Sequence, residues 1–168
     1  MPRIVRLIVI AVTMVVLESV AFSVVPITVS GTQNMAFGSM TRSSSSTVTY
    51  SSGNAAAFTV TGSKMNNVLI SVSTANLSTS NGSSSSSTYR RMTPTVSTST
   101  CKYSTNNGST WSSFTSSSGG VISVSTRFPN HSGTTSSILV RVGATLTSST
   151  RQQRGSYSGT VTVSAAYN

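Results

Sequence analysis

The sequence has almost no negative charge. Its 168 residues include eleven Lys and Arg but only one acidic residue, Glu18. Carboxylates orient catalytic histidines, bind calcium and magnesium, and serve as the acid and the base of glycosidases. Their absence after position 18 excludes a Ser-His-Asp triad, a glycosidase pair and an acidic cation site. We therefore expect no enzymatic activity and no cofactor.

Cysteine and histidine are equally scarce. Cys101 is the one cysteine and His131 the one histidine. A disulfide within the chain needs two cysteines, and a zinc site needs three or four His, Cys or acidic ligands, so both are excluded. A dyad of Cys101 and His131 would require the two side chains to lie within hydrogen-bond reach. The simpler interpretation is a small buried Cys101, with pairing between molecules as the alternative.

Residues 1–23 have the pattern of a secretory signal. Two arginines near the start accompany an apolar run, and the small residues Ala21 and Ser23 follow at the spacing that a signal peptidase accepts. The run is shorter than the roughly 20 residues that span a bilayer. We expect cleavage after Ser23, with residues 24–168 released as a single domain that has no membrane span and is extracellular or held at the cell surface.

The positive charge is spread along the chain. Two of the eleven basic residues precede position 24, which leaves nine without an acidic partner after that point. Such a balance suits an anionic partner. No nucleic-acid-binding motif is present, so we expect no dedicated nucleic-acid binding. Tyr89, Arg90, Arg91 and Trp111 form a candidate surface for a glycan or an anionic polymer; solvated charge and a tryptophan in the core are the alternatives.

Alternating apolar and hydroxyl residues dominate the rest of the sequence. A period of two indicates strands with one buried face, and clusters of Gly, Asn and Ser mark the turns between them. No helical period occurs after the signal. The predicted strands are 25–30, one or two within 34–40, 47–50, 56–62, 68–72, 94–104, 120–126, 137–146 and 157–168. This pattern predicts an all-β antiparallel sandwich of about seven to nine strands.

Both ends of the mature chain resemble a known family. ITVSGTQNMAFGSM, from Ile27, and VGATL followed by GSYSGTVTVSAAYN resemble the secreted bacterial domain-of-unknown-function family 4402. Its members look like pilin-type sandwiches, so the resemblance implies an immunoglobulin-like fold. The tail is also similar to that of chaperone-usher fimbrial subunits, which end on an alternating strand with a penultimate aromatic residue and a glycine near its start. Here those residues are Tyr167 and Gly155.

The fimbrial resemblance implies donor-strand exchange, in which a subunit with an open edge accepts a strand from the next subunit. The candidate donor is Val25, Ile27, Val29 and Gly31, which also fits the protein's own first strand. The C-terminal edge strand would comprise Gly155, Tyr157, Gly159, Val161, Val163, Ala165 and Tyr167. The implied partners are other copies in a homopolymer, with a periplasmic chaperone and an usher during assembly.

Two functions follow from these observations. The leading hypothesis is a structural subunit of an extracellular filament or fimbria-like surface assembly that is joined by strand addition. The alternative is a self-complete cell-surface module that binds glycans or anionic polymers.

Overall fold

The computed structural model describes residues 24–38, 40–78, 91–152 and 160–168. The predicted signal, residues 1–23, lies outside them. Within this part of the chain no helix is long and apolar enough to cross a membrane. Its strands are β1 (Thr28–Gln33), β2 (Ser45–Val48), β3 (Ala56–Ser63), β4 (Asn67–Thr74), β5 (Leu77–Ser78), β6 (Arg91–Met92), β7 (Lys102–Ser104), β8 (Ser112–Ser113), β9 (Ser116–Ser118), β10 (Val121–Arg127), β11 (Thr135–Val142), β12 (Ala144–Thr147) and β13 (Val161–Tyr167).

Two antiparallel sheets carry most of the structure. The larger has the strand order β1-β3-β11-β7-β8, and the smaller has the order β13-β4-β10-β9. Two short pairs, β12 with β2 and β5 with β6, accompany them. The prediction of an all-β antiparallel fold is therefore confirmed.

One hydrophobic core joins the two sheets. In β3, β4, β10 and β11 the apolar residues alternate with polar ones, so each strand sends one apolar row inward. The fully buried members of these rows are Val60, Val68, Ile70, Val72, Ile122, Ile138, Val140 and Val142. The central strands of both sheets thus bury their faces against one another.

Three predicted strands differ from the structure. Residues 34–38 and 40 form no strand, because Met35 and Phe37 are held by packing on the core and not by a ladder. The predicted strand 94–104 keeps only β7 and an isolated bridge at Thr95, because a turn from Ser97 to Cys101 folds the chain back, with the Cys101 amide donating to the Ser97 carbonyl at 3.1 Å. Hydroxyl side chains favour such turns.

The third difference is at Gly143, which divides the predicted strand 137–146. β11 ends at Val142 in the larger sheet, and β12 begins at Ala144 beside β2. The Gly143 amide donates to the Thr100 carbonyl at 3.1 Å, and its own carbonyl accepts from the Cys101 thiol at 3.0 Å. A side chain at position 143 would clash with the Val48 carbonyl and lie 2.8 Å from the Thr100 oxygen. Backbone crowding therefore requires glycine here.

The crowding at Gly143 predicts a large effect of one methyl group. We expect Gly143→Ala to lower the free energy of unfolding by about 3 kcal/mol, because the Val48 carbonyl belongs to β2 and the Thr100 carbonyl accepts from the Gly143 amide, so neither can move without breaking a hydrogen bond or the strand. Gly53→Ala is the matched control, since no atom lies within 4 Å of its added carbon, and its effect should stay within about 1 kcal/mol. Urea unfolding measures the free energy change in each variant. Equal unfolding midpoints for the two variants would contradict backbone crowding at Gly143.

Cys101 is buried at the same junction. Burial raises the pKa of its thiol above the ordinary value of 9.0, while hydrogen bonds with Thr100, Gly143 and Ser97 act in the opposite direction. The thiolate is the reactive form, so the folded protein keeps this cysteine unreactive.

We therefore expect a thiol reagent at neutral pH to label Cys101 only in urea, and no disulfide to form between folded copies. As the pH rises through about 9.0, the unfolded chain loses this proton first, so the Cys101 contribution to stability declines. Comparing wild type with Cys101→Ala at pH 8 and pH 10 isolates that contribution, because the other titrating groups are shared. Rapid labelling of the native protein would show that the site is open.

Candidate functional site

The strand β13 lies at one edge of the smaller sheet. It pairs with β4 along its whole length, from Val161 opposite Thr74 to Tyr167 opposite Val68. In the part of the chain that the structure describes, no strand pairs with the other side of β13. Gly155, Tyr157 and Gly159, which were predicted to belong to this strand, lie outside that part.

Two backbone hydrogen bonds show which groups of β13 face outward. The Ala75 amide donates to the Thr160 carbonyl at 2.9 Å, and the Asn168 amide donates to the Asn67 carbonyl at 3.3 Å. Both bonds join directly opposed residues, so the even-numbered residues 160–168 make the ladder with β4. The N–H and C=O groups of the odd-numbered residues Val161, Val163, Ala165 and Tyr167 therefore point away from β4 and are available to another strand.

The same four residues carry the apolar face of β13. Their side chains are half-buried and pack on the core, whereas Thr162, Ser164 and Ala166 are exposed. On the neighbouring strand β4, by contrast, Val68, Ile70 and Val72 are fully buried. The core is thus closed over β4 but only partly covered over β13.

The candidate donor segment lies at the edge of the larger sheet. Val25 and Ile27 precede β1 and are half-buried, and Ile27 packs on the core. Val29 and Gly31 lie in β1, paired with Val60 and Phe58 of β3. In this structure the segment therefore serves as the protein's own first strand, although every side chain of β1 is exposed.

The hydroxyl of Tyr167 connects these two edges. It donates to the Val25 carbonyl at 2.6 Å and accepts from the Ser63 amide at 2.6 Å. The Tyr167 ring packs edge-on against Phe128, with centroids 6.2 Å apart, and glycine at position 62 leaves room for both rings. One side chain therefore ties β13 to β3 and to the N-terminal segment.

The two edge strands lie on the same side of the molecule. Cα atoms of β1 and β13 come within 8 Å of one another, and the Tyr167 hydroxyl spans from one sheet to the other. The outward backbone groups of β13 and the exposed strand β1 thus flank one open side. We refer to the outward groups of Val161, Val163, Ala165 and Tyr167 as the β13 edge.

The structure does not bring the residues of the predicted ligand surface together. Trp111 lies beside a cleft on the larger sheet, together with Gly108, Leu139 and Arg141. Arg91 is exposed in β6, away from the residues that line that cleft. Tyr89 and Arg90 lie outside the described residues.

The remaining candidate chemistry is sparse. In residues 24–38, 40–78, 91–152 and 160–168 no three His, Cys, Asp or Glu side chains lie close enough to hold a metal ion. Cys101 bonds to the Gly143 carbonyl and lies 3.7 Å from the Thr100 hydroxyl, while His131 is exposed in the segment between β10 and β11. No hydrogen bond joins Cys101 to His131.

Comparison with known proteins gives a family. The model of the Domain of unknown function (DUF4402) matches residues 16–167. The chain belongs to this family. No curated protein and no solved structure matches it. The DUF4402 match includes the core strands, the β13 edge and Trp111, and the sequence resemblance to that family is confirmed.

Sequence reasoning missed several residues of these surfaces. Ser63 supplies the amide that Tyr167 accepts from, Tyr50 packs on Trp111, and Lys102 lies over the Tyr50 ring. Tyr50 lies in the turn after β2 and Trp111 directly precedes β8, so no local pattern links them. The strand register brings Lys102 opposite Arg141, and that register depends on long-range pairing.

The bridge made by Tyr167 can be tested by removing one oxygen atom. We expect Tyr167→Phe to lower the free energy of unfolding by about 1–3 kcal/mol, because the buried Ser63 amide and the Val25 carbonyl lose their partner. Tyr103→Phe is the matched control, since the Tyr103 ring packs on Phe114 and its hydroxyl has no hydrogen bond in the described structure. Urea unfolding of the two variants gives the comparison. If the two variants lost the same free energy of unfolding, the Tyr167 hydroxyl bridge would contribute nothing to stability.

Proposed function

We propose that this protein is a non-enzymatic structural subunit of an extracellular, fimbria-like surface assembly joined by β-strand addition. The observation that carries the proposal is the β13 edge. Its outward backbone groups lie on the same residues as a half-buried apolar row, so a strand added there would gain a ladder and cover the core at once. The secretory pattern of residues 1–23 supports an extracellular location.

The strand order supports an immunoglobulin-like, pilin-type fold for this subunit. In immunoglobulin folds, strands A, B, E and D form one sheet, and C, F and G form the other. β1, β3 and β11 have the neighbours of A, B and E, while β4 and β13 have those of C and F. In immunoglobulin folds strand G pairs with the outer side of F, but within the described residues no strand pairs with the outer side of β13. A strand from another molecule would fit that position.

The proposed occupant is the Val25–Gly31 segment of a second copy. Its apolar residues alternate, as a strand that covers an inward-facing row must. β1 itself buries no side chain and pairs only with β3, so the attachment of the segment rests mainly on the packing of Ile27 and on the hydrogen bonds of Val25 to Ser63 and Tyr167. Transfer to another copy would exchange one ladder for another and bury additional apolar surface on β13. A periplasmic chaperone would occupy the same edge before assembly, and an usher would mediate the exchange.

Two neighbouring alanines allow a sharp test of the β13 edge. The Ala165 amide points outward, whereas the Ala166 amide points toward Leu69 of β4. We expect Ala165→Pro to fold with a loss of about 1 kcal/mol but to abolish filaments in electron microscopy, because proline removes the outward donor and blocks the approaching strand. Ala166→Pro should cost about 3 kcal/mol or more, because it breaks the subunit's own ladder.

Two further proteins complete this experiment. Ala165→Ser keeps the outward amide and should assemble like the wild type, which separates the backbone effect from the side chain. The protein lacking residues 24–33 should stay soluble and accept a synthetic peptide of that segment. Filament formation by Ala165→Pro would overturn the proposal. A wild-type protein that is a stable monomer, and that unfolds when residues 24–33 are removed, would also overturn it and would show that the segment is only the protein's own first strand.

A further inference from the structure

A cleft on the outer face of the larger sheet has the dimensions of a ligand site. Its volume is about 420 Å³, within the range of roughly 300–1,000 Å³ that small-molecule sites occupy. The floor is formed by Thr59, Leu139 and Arg141 of β3 and β11, and one wall is formed by Trp111 and Gly108. The cleft belongs to the face opposite the core and lies apart from the β13 edge, although one of its lining residues, Thr32, belongs to β1 beside the proposed donor segment.

The Trp111 wall is held in place by its own loop. Gly108 has a φ of +85°, and a side chain there would lie 3.7 Å from the Trp111 ring and 3.8 Å from Leu139. The Ser104 hydroxyl accepts from the Gly108 amide at 2.9 Å, which fixes the turn. Tyr50 packs on Trp111 with ring centroids 6.0 Å apart. The indole is therefore positioned before any ligand arrives.

Two positive charges lie beside this aromatic wall. Arg141 of β11 is directly opposite Lys102 of β7, an arrangement in which like charges repel. The Lys102 ammonium bonds to the Ser113 hydroxyl and lies 5.8 Å from the centre of the Tyr50 ring, within cation–π range. The Arg141 guanidinium, which lines the cleft, has no ion pair and no side-chain hydrogen bond among the described residues. No acidic side chain follows position 18, so no Asp or Glu can neutralise this pair.

We propose that this cleft binds a carboxylated saccharide. The indole of Trp111 offers a flat apolar surface to the C–H face of a pyranose ring. The Arg141 guanidinium is a planar fork that matches a carboxylate, which would also relieve the repulsion with Lys102. The Thr32 and Thr59 hydroxyls and the Asn107 amide line the same cleft and can bond to sugar hydroxyls. The site differs from the sequence-predicted surface in using Arg141 instead of Arg90 and Arg91.

The chain provides its own reporter for this site. Trp111 is the sole tryptophan, so intrinsic fluorescence follows the cleft alone. We expect tri-galacturonate to change that fluorescence saturably at physiological salt, and its methyl ester, which has the same rings without charge, to bind at least about tenfold more weakly. A charged hydrogen bond of this kind accounts for such a factor.

Variants distinguish binding in the cleft from nonspecific attraction to the net positive charge of the protein. We expect Arg141→Gln to weaken tri-galacturonate binding about tenfold or more, and isothermal titration calorimetry should find binding lost in Trp111→Ala. Lys64→Gln removes one positive charge from an exposed position between β3 and β4 and should change the affinity less than about twofold. The proposal would be overturned by absence of binding, by equal weakening in Arg141→Gln and Lys64→Gln, or by equally tight binding of polyphosphate or duplex DNA. Each of these measurements uses the unassembled subunit, so its outcome is independent of filament formation.

Discussion

The Tyr167 hydroxyl is the contact on which the open side of the molecule depends. It is hydrogen-bonded to Val25 and to Ser63, and it is carried on β13 itself. Without this contact, the N-terminal segment would be held by the β1 ladder, by the packing of Ile27 on the core and by the hydrogen bond from the Val25 amide to the Ser63 hydroxyl at 2.7 Å. The bridge therefore orders the β13 edge, whose outward backbone groups have no strand partner among the described residues. That combination is what strand addition between copies requires.

The lack of acidic residues affects every surface. Where other proteins would place ion pairs between strands, this one places hydroxyl pairs, such as Thr61 with Ser137 and Thr47 with Thr145, each at 3.0 Å. These contacts are neutral and insensitive to salt. The same scarcity leaves Arg141 in the cleft and its neighbour Lys102 with no acidic side chain after position 18 to pair with.

Period-two patterns predicted the central strands well. The apolar rows of β3, β4, β10, β11 and β13 face inward as their alternation indicates, because burial acts directly on side-chain spacing. The pattern failed at Gly143, where a clash of backbone atoms ends a strand, and at residues 34–38 and 40, where side-chain packing replaces a ladder. Sequence predicted the β13 alternation but not which backbone groups face outward, since that depends on the register with β4. The sequence did not predict the cleft for the same reason: Arg141 and Lys102 become neighbours only through the pairing of β11 with β7.

Amide hydrogen exchange on β13 tests the central claim most directly. In the free subunit, the Val163 and Ala165 amides should exchange rapidly, while those of Ser164 and Ala166 are protected by the ladder to β4. In the assembled protein, the first two should slow by at least about 100-fold as they bond to the incoming strand, with little change in the other two. Protection of Val163 and Ala165 already in the free subunit, or rapid exchange in the assembly, would contradict strand addition at this edge.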